Sequence, residues 1–224
     1  MNHSSFLDLE IVSRIFFPKP YCIVCTSDGF VGKPGLMRQI GCIPTRKFVR
    51  DVTLLSDMEY ALKQLKTSVL MYPEASYTFD GRATPLPKKL GFLLKKLDVP
   101  VVSIITEGAF ARDPLYNCLQ KRDVTVRADV TCLLTRDEIK EKSTAELDKI
   151  LGDLFTFDNF AWQREKRVRI AEPFRADGLE RILFRCPHCG GEGTLTGRGI
   201  TLRCEKCGAE YELDEYGAIS RTNG

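Results

Sequence analysis

Nowhere in its 224 residues does this chain hold an uninterrupted run of about 18 apolar residues, so no segment reads as membrane-spanning. Its start is polar and lacks the charged-then-apolar pattern of a secretory signal. There are no internal repeats and no low-complexity stretch, and the apolar and charged fractions are those of an ordinary globular protein. Charge of one sign is also scarce. A formal net charge of +3 favours anionic lipid surfaces or phosphorylated substrates, but does not indicate nucleic acid. A disulfide framework is missing: of nine cysteines, Cys22, Cys25, Cys42, Cys118 and Cys132 are scattered among apolar residues and read as buried thiols. Cys186, Cys189, Cys204 and Cys207 form a separate cluster, and a reducing cytoplasm is the expected compartment.

What is there begins at the start of the chain. Met1 to Asp8 reads MNHSSFLD and places His3 five positions ahead of Asp8. A histidine held by a carboxylate is a ready general base near neutral pH. The spacing suits a histidine just before a helix and an aspartate in its first turns, where free backbone N–H groups can also stabilise an oxyanion. Against this stands a plainer reading, an exposed terminal histidine and an aspartate that only caps a helix. Three more blocks follow in order: Gly41-Cys42-Ile43-Pro44-Thr45-Arg46, Tyr72-Pro73-Glu74-Ala75-Ser76 and Val99-Pro100-Val101-Val102.

Together the four blocks resemble the glycerolipid acyltransferase family, which includes the 1-acyl-sn-glycerol-3-phosphate and lysophospholipid acyltransferases. The resemblance covers roughly the first two-thirds of the chain. It rests on Asn2, His3 and Asp8, on Gly41, Ile43 and Arg46, on Pro73 and Glu74, and on Val99 to Val102. It implies His3 as general base oriented by Asp8, and substrate contacts from Arg46, Glu74, Ala75 and Ser76. Arg46 would grip an acceptor phosphate, since a guanidinium binds phosphate oxygens bidentately. From the residues alone, Arg46 reads equally as a surface arginine beside Lys47 and Arg50, and Glu74 as a solvated loop carboxylate.

Two departures from the family pattern stand out. After the glutamate the family reads glycine, threonine, arginine, whereas this chain has Ala75, Ser76 and Tyr77. Tyr77 replaces a cationic phosphate contact, which Arg82, Lys88 or Lys89 would have to supply. The family also carries a strand and hydrophobic or amphipathic helices ahead of the histidine block. Only Met1 and Asn2 precede it here, so an upstream segment, the natural place for a membrane anchor, is expected to be missing from this sequence.

Along the chain, strands are expected at 21–26, 68–72, 99–106 and 123–134, and helices at 32–40, 57–66 and 88–97. In the last, Leu90, Leu93, Leu94 and Leu97 share one side. Ser143-Thr144-Ala145-Glu146 fits a capping box opening a helix to about Phe155. This alternation predicts an α/β domain with a mostly parallel sheet, of the glycerol-phosphate-acyltransferase type that the resemblance implies, over residues 1–170. A linker at 171–182 and a zinc ribbon at 183–224 follow. The basic, aromatic stretch from Phe157 to Arg169 reads either as a face for anionic headgroups or as a domain-packing helix.

In the ribbon, Cys186-Pro-His-Cys189 and Cys204-Glu-Lys-Cys207 form two CxxC knuckles around an expected small hairpin with Gly197 and Gly199 near its turn. Four cysteines leave no open coordination position, so the zinc is expected to be structural. His188, inside the first knuckle, is expected to be exposed. Metal binding would supply most of the folding energy of so small a unit.

The sequence therefore predicts an acyltransferase acting at the cytoplasmic side of the cell membrane. Its acyl donor would be acyl-CoA or acyl carrier protein, its acceptor a lysophospholipid, and no nucleic acid partner is expected. The alternative is a non-catalytic, lipid-sensing module of the same fold whose ribbon recruits a protein partner.

Overall fold

The computed structural model describes residues 1–46 and 51–223. Lys47 and Arg50, the basic neighbours of Arg46, lie outside the described residues. Helix α1 (Asp8–Phe16) carries acidic residues in its first turn, where they complement the helix dipole. Val12, fully buried, packs with Met1, Leu70 and Ile104, while Leu9 faces outward.

The apolar YCIVCT run forms strand β1 (Tyr21–Thr26), as its composition predicts. Helix α2 (Pro34–Gln39), with proline in its first turn, leads into β2 (Cys42–Thr45). β3 (Ser68–Leu70) completes a parallel three-stranded sheet of order β2-β1-β3. Between β2 and β3 runs α3 (Val52–Glu59), continued by a π-turn at Tyr60–Gln64. This helix starts earlier than the expected position at Asp57. Asp51 caps it by accepting the Leu54 N–H, whereas Asp57 faces Arg38 on the surface.

Helix α4 (Leu90–Leu97) turns Leu90 and Leu97 inward, with Leu93 and Leu94 partly buried. It leads into β4 (Val101–Glu107), and a short helix α5 (Ala109–Arg112) follows. β5 (Arg127–Leu134) pairs antiparallel with β4. The sheet of the first half is thus parallel at β1–β3, with an antiparallel pair beside it. β5 presents a mostly exposed face, and this corrects one expectation: of the five scattered cysteines, Cys132 on that strand and Cys118 are exposed, Cys25 is half-buried, and Cys22 and Cys42 are buried.

Helices α6 (Arg136–Glu141) and α7 (Thr144–Leu154) follow, each opened by a full capping box, Thr135 with Glu138 and Ser143 with Glu146. α4 packs closely on α7, since a Cβ on Gly91 would lie 2.3 Å from the Thr144 carbonyl oxygen. In α8 (Asn159–Glu165) Asn159 and Gln163 are buried and the aromatic side chains are partly buried. Phe160 packs beside Phe110, and Trp162 packs beside Ala111, Val124 and Ile170. Those two aromatics pack on the fold, while Arg164, Lys166, Arg167 and Arg169 are exposed.

The carboxy-terminal part is a four-stranded antiparallel sheet of β6 (Leu195–Arg198), β7 (Thr201–Cys204), β8 (Glu210–Leu213) and β9 (Ile219–Arg221). The β6–β7 turn carries Gly199 at φ +65°, a left-handed conformation that suits glycine. The segment 171–182 is packed, not extended. Ala176 and Leu179 are buried in one cluster with Phe110 and Tyr116 on one side and Leu195, Leu202 and Leu213 on the other. Among the described residues no helix is long and apolar enough to cross a membrane.

Candidate active site

The chain start is stitched to the end of β4 and to the loop after β3. The Asn2 Oδ1 accepts from both the backbone N–H and the hydroxyl of Thr106, and its Nδ2 donates to the Thr106 carbonyl at 2.9 Å. His3 donates its backbone N–H to Glu74 Oε2 at 2.7 Å, and its carbonyl accepts from the Thr78 N–H at 3.0 Å. These bonds fix the backbone of the histidine before its ring is considered.

The ring then meets Asp8. His3 Nδ1 lies 2.9 Å from Asp8 Oδ2, with the aspartate side chain 1% exposed. An ionised carboxylate only accepts, so Nδ1 carries the proton and Nε2 is left as the basic nitrogen. Nε2 has no hydrogen-bond partner among the described residues. Asp8 Oδ2 also accepts from the N–H groups of Ser4 at 2.9 Å and Ser5 at 3.3 Å. Two backbone donors just ahead of α1 are therefore engaged in holding the carboxylate.

Two tyrosines bracket the imidazole. Tyr72 stacks on His3 with ring centroids 4.1 Å apart and planes 22° apart, and Tyr77 lies on it at 3.7 Å and 31°. Phe6 extends the stack beyond Tyr77 at 4.6 Å. Burial pushes both phenols up from their ordinary value, and the Asp8 charge adds to this. Both tyrosines therefore stay neutral beside the base.

Glu74 comes together with His3 and Asp8, but its oxygens are used structurally. Oε2 holds the His3 N–H, and Oε1 accepts from the Thr84 N–H at 3.2 Å. Burial pushes its carboxyl up, against the downward pull of those two N–H groups. Ala75 sits at φ +57°, the position where the family pattern has glycine, and its N–H bonds the Tyr72 carbonyl. Ser76 is exposed. Arg46 is also exposed, at the end of β2, with Nε 3.8 Å from Asp51 Oδ2. It shares the carboxyl edge of the parallel sheet with the Glu74 loop but does not line the cleft around His3.

That cleft is lined by Asn2, His3, Glu74, Thr78, Arg82 and Phe157, among others. Of the three cations named as substitutes for the missing one, Arg82 lines it, with its Nε 3.4 Å from Asp158 Oδ2. Next to it lies a cavity of about 640 Å³ between β3 and β4, walled by apolar side chains including Leu90, Leu93, Leu94, Val101 and Leu151. Leu154 and Phe155 border both spaces. Volume and lining suit a largely apolar ligand.

Sequence reasoning missed the aromatic bracket and the anchoring roles of Asn2 and Thr78. Tyr72 and Tyr77 were visible as residues, but their convergence on one ring depends on the left-handed turn at Ala75.

In the carboxy-terminal sheet the sulfurs of Cys186, Cys189, Cys204 and Cys207 all lie within 4.8 Å of one another. Two sulfur pairs, Cys186 with Cys207 and Cys189 with Cys204, are 3.8 Å apart. A tetrahedron with Zn–S bonds of about 2.3 Å has edges of roughly 3.8 Å, so the donor set fits zinc in size and in kind. Thr194 Oγ1 lies 3.3 Å from Cys204 Sγ and supports the cluster from outside. His188 is exposed, as the sequence predicts.

No curated protein matches the chain. Among solved structures it is similar to the 1-acyl-sn-glycerophosphate (LPA) acyltransferase PlsC from Thermotoga maritima, at 20% identity and a TM-score of 0.47. That similarity covers 69% of this chain and 61% of that one, so the chain spans about three-fifths of that protein's length. The family model described as Acyltransferase matches residues 1–107, a span that contains His3, Asp8, Arg46 and Glu74 and ends with β4. Residues 1–107 are an acyltransferase-family domain.

Proposed function

We propose that this chain transfers a fatty acyl group from a thioester to the hydroxyl of lysophosphatidic acid or a related lysophospholipid, in phospholipid biosynthesis. Acyl-CoA and acyl carrier protein both present the required thioester. The observation that carries the reading is the His3–Asp8 pair, whose Nε2 has no hydrogen-bond partner among the described residues and whose ring lines the cleft next to the apolar cavity of about 640 Å³. His3 Nε2 takes the proton as the acceptor oxygen attacks the thioester carbonyl. The C–O bond forms, the C–S bond breaks, and the imidazolium returns its proton to the departing thiolate. Asp8 stabilises the imidazolium during this step and holds its tautomer. The acyl chain lies in the cavity between β3 and β4, and Arg82 is the cation positioned to meet an acceptor headgroup.

Zinc held by Cys186, Cys189, Cys204 and Cys207 supplies structure, not catalysis, because four thiolates fill a tetrahedral shell. The site of action is the cytoplasmic face of the membrane, where both donor and lysolipid meet. The test is acyl transfer from a mixed acyl-CoA pool, and from acylated carrier protein, to a panel of lysophospholipids, with His3→Ala alongside. Transfer that disappears in the variant supports the reading. A folded protein inactive with every donor and acceptor contradicts it and favours a lipid-sensing module.

A further inference from the structure

Behind the His3–Asp8 pair lies a second buried carboxylate that the transfer chemistry does not use. Asp113 follows α5 and is 7% exposed. Its Oδ1 accepts the hydroxyl proton of Ser5 at 2.5 Å. Ser5 is itself 1% exposed, and its Oγ accepts from the Leu7 N–H at 3.0 Å while its own N–H donates to Asp8 Oδ2. Ser5 therefore sits between two carboxylates, with its backbone on one and its hydroxyl on the other.

A serine hydroxyl has a single proton and rotates to suit its partners. With Asp113 accepting that proton, the Oγ lone pairs are aimed at the Leu7 N–H, and the turn from Ser4 to Leu7 has one arrangement. Burying a second carboxylate near Asp8 is unfavourable in itself. Burial and then the Asp8 charge push the Asp113 carboxyl up, against the pull of the Ser5 hydroxyl. Replacement of Asp113 by an apolar residue would remove that cost, so the carboxylate is not explained by packing.

The position of Asp113 is fixed from its other side. Its neighbours Phe110 and Tyr116 belong to the core cluster that continues into the ribbon at Cys186, Leu195 and Leu202. The Tyr116 hydroxyl accepts from Arg122 Nη2 at 2.9 Å, and a Cβ on Gly178 would lie 2.3 Å from the Tyr116 carbonyl oxygen. The segment that carries Asp113 is thus clamped where it meets Ser5.

We infer that Asp113 is a positioning residue for the acyl transfer, fixing through Ser5 the turn that presents the Asp8 carboxylate to His3 Nδ1. The inference rests on the reading of His3 as general base. It is tested on the full zinc-loaded chain with Asp113→Ala, Asp113→Asn and Ser5→Ala. Two readouts are taken: steady-state kinetics, and the nitrogen-15 NMR signals of the His3 ring. Asp113→Ala lowers kcat by about 10- to 100-fold with KM unchanged, the size typical of losing a group that orients a functional side chain. Asp113→Asn keeps an oxygen that accepts from Ser5 and restores most of the rate. In the NMR spectrum the wild type shows His3 protonated at Nδ1, and Asp113→Ala mixes the two tautomers. Because this signal needs no turnover, a wild type inactive on lysophospholipids refutes the acyl-transfer reading, and the His3 tautomer in Asp113→Ala still decides whether Asp113 positions the pair. Wild-type kcat with an unchanged tautomer in Asp113→Ala overturns the inference, as does Asp113→Asn being as impaired as Asp113→Ala. If Asp113→Ala fails to fold, Ser5→Ala decides: a wild-type rate and tautomer there also overturn it.

Discussion

The imidazole of His3 and the phenol of Tyr77 lie against each other with their centres 3.7 Å apart and their planes tilted by 31°, and this contact stands where the family pattern places a cation. Aromatic pairs of this kind contribute about 0.5–1.5 kcal/mol beyond the area they bury. Here the contact also restricts rotation of the base. Tyr77→Ala is expected to lower kcat about tenfold, with only about 1 kcal/mol lost in urea unfolding. Tyr77→Phe retains the ring and is expected to keep the wild-type rate.

Glu74 serves the same ring through its backbone. Glu74→Ala leaves the His3 and Thr84 N–H groups without their acceptor, and is expected to lower kcat by about 10²-fold. Its pH dependence has a defined sign. The folded carboxyl is raised above its ordinary value of 4.5, so the folded state binds the proton more tightly than the unfolded state. Stability contributed by this group is therefore greatest below the ordinary value and falls as pH rises through the raised folded value. Urea unfolding of wild type and Glu74→Gln across that range, compared by difference, is expected to show the wild type losing ground as pH rises.

Much of this arrangement was legible in the residues. The YCIVCT run, the α4 leucines, the Ser143–Glu146 box and the two cysteine knuckles each specify their structure locally, by period, cap or ligand spacing. What was not legible depends on contacts far apart in sequence. Asn2 reaches Thr106 across 104 positions and Ser5 reaches Asp113 across 108, and no local pattern announces such a pairing. The start of α3 was misplaced for a different reason, because Asp51 and Asp57 both look like caps and only tertiary context sends Asp57 to Arg38. The basic, aromatic stretch around Trp162 offered two faces, and its residues divide between them: Trp162 packs with Ala111 and Ile170, while Arg164 and Lys166 are exposed.

The ribbon cluster predicts one zinc per chain by elemental analysis. Cys186→Ser or a strong chelator removes the metal, and the loss is expected to open the core shared by the ribbon with Phe110 and Tyr116. The observable consequence is a lower Tm together with reduced activity, restored by adding zinc back. A chelated chain with unchanged Tm contradicts the structural role.

Gly91 provides a test of the α4–α7 packing. An added Cβ meets the Thr144 carbonyl oxygen at 2.3 Å and Leu147 Cβ at 2.9 Å, neither of them the end of a flexible side chain. Gly91→Ala is expected to destabilise by about 1–3 kcal/mol, since the helices must separate. Gly152 lies on α7 with no heavy atom within 4 Å of an added Cβ. Gly152→Ala serves as the control and is expected to be neutral or mildly stabilising.

The most direct test of the account is single-turnover acyl transfer to lysophosphatidic acid and other lysophospholipids by the zinc-loaded chain and its His3→Ala variant. The account predicts transfer by the wild type and a loss of about 10²–10⁴-fold in the variant, with the fold and the zinc content intact. Equal rates for the two proteins would contradict His3 as the base, and with it the central claim.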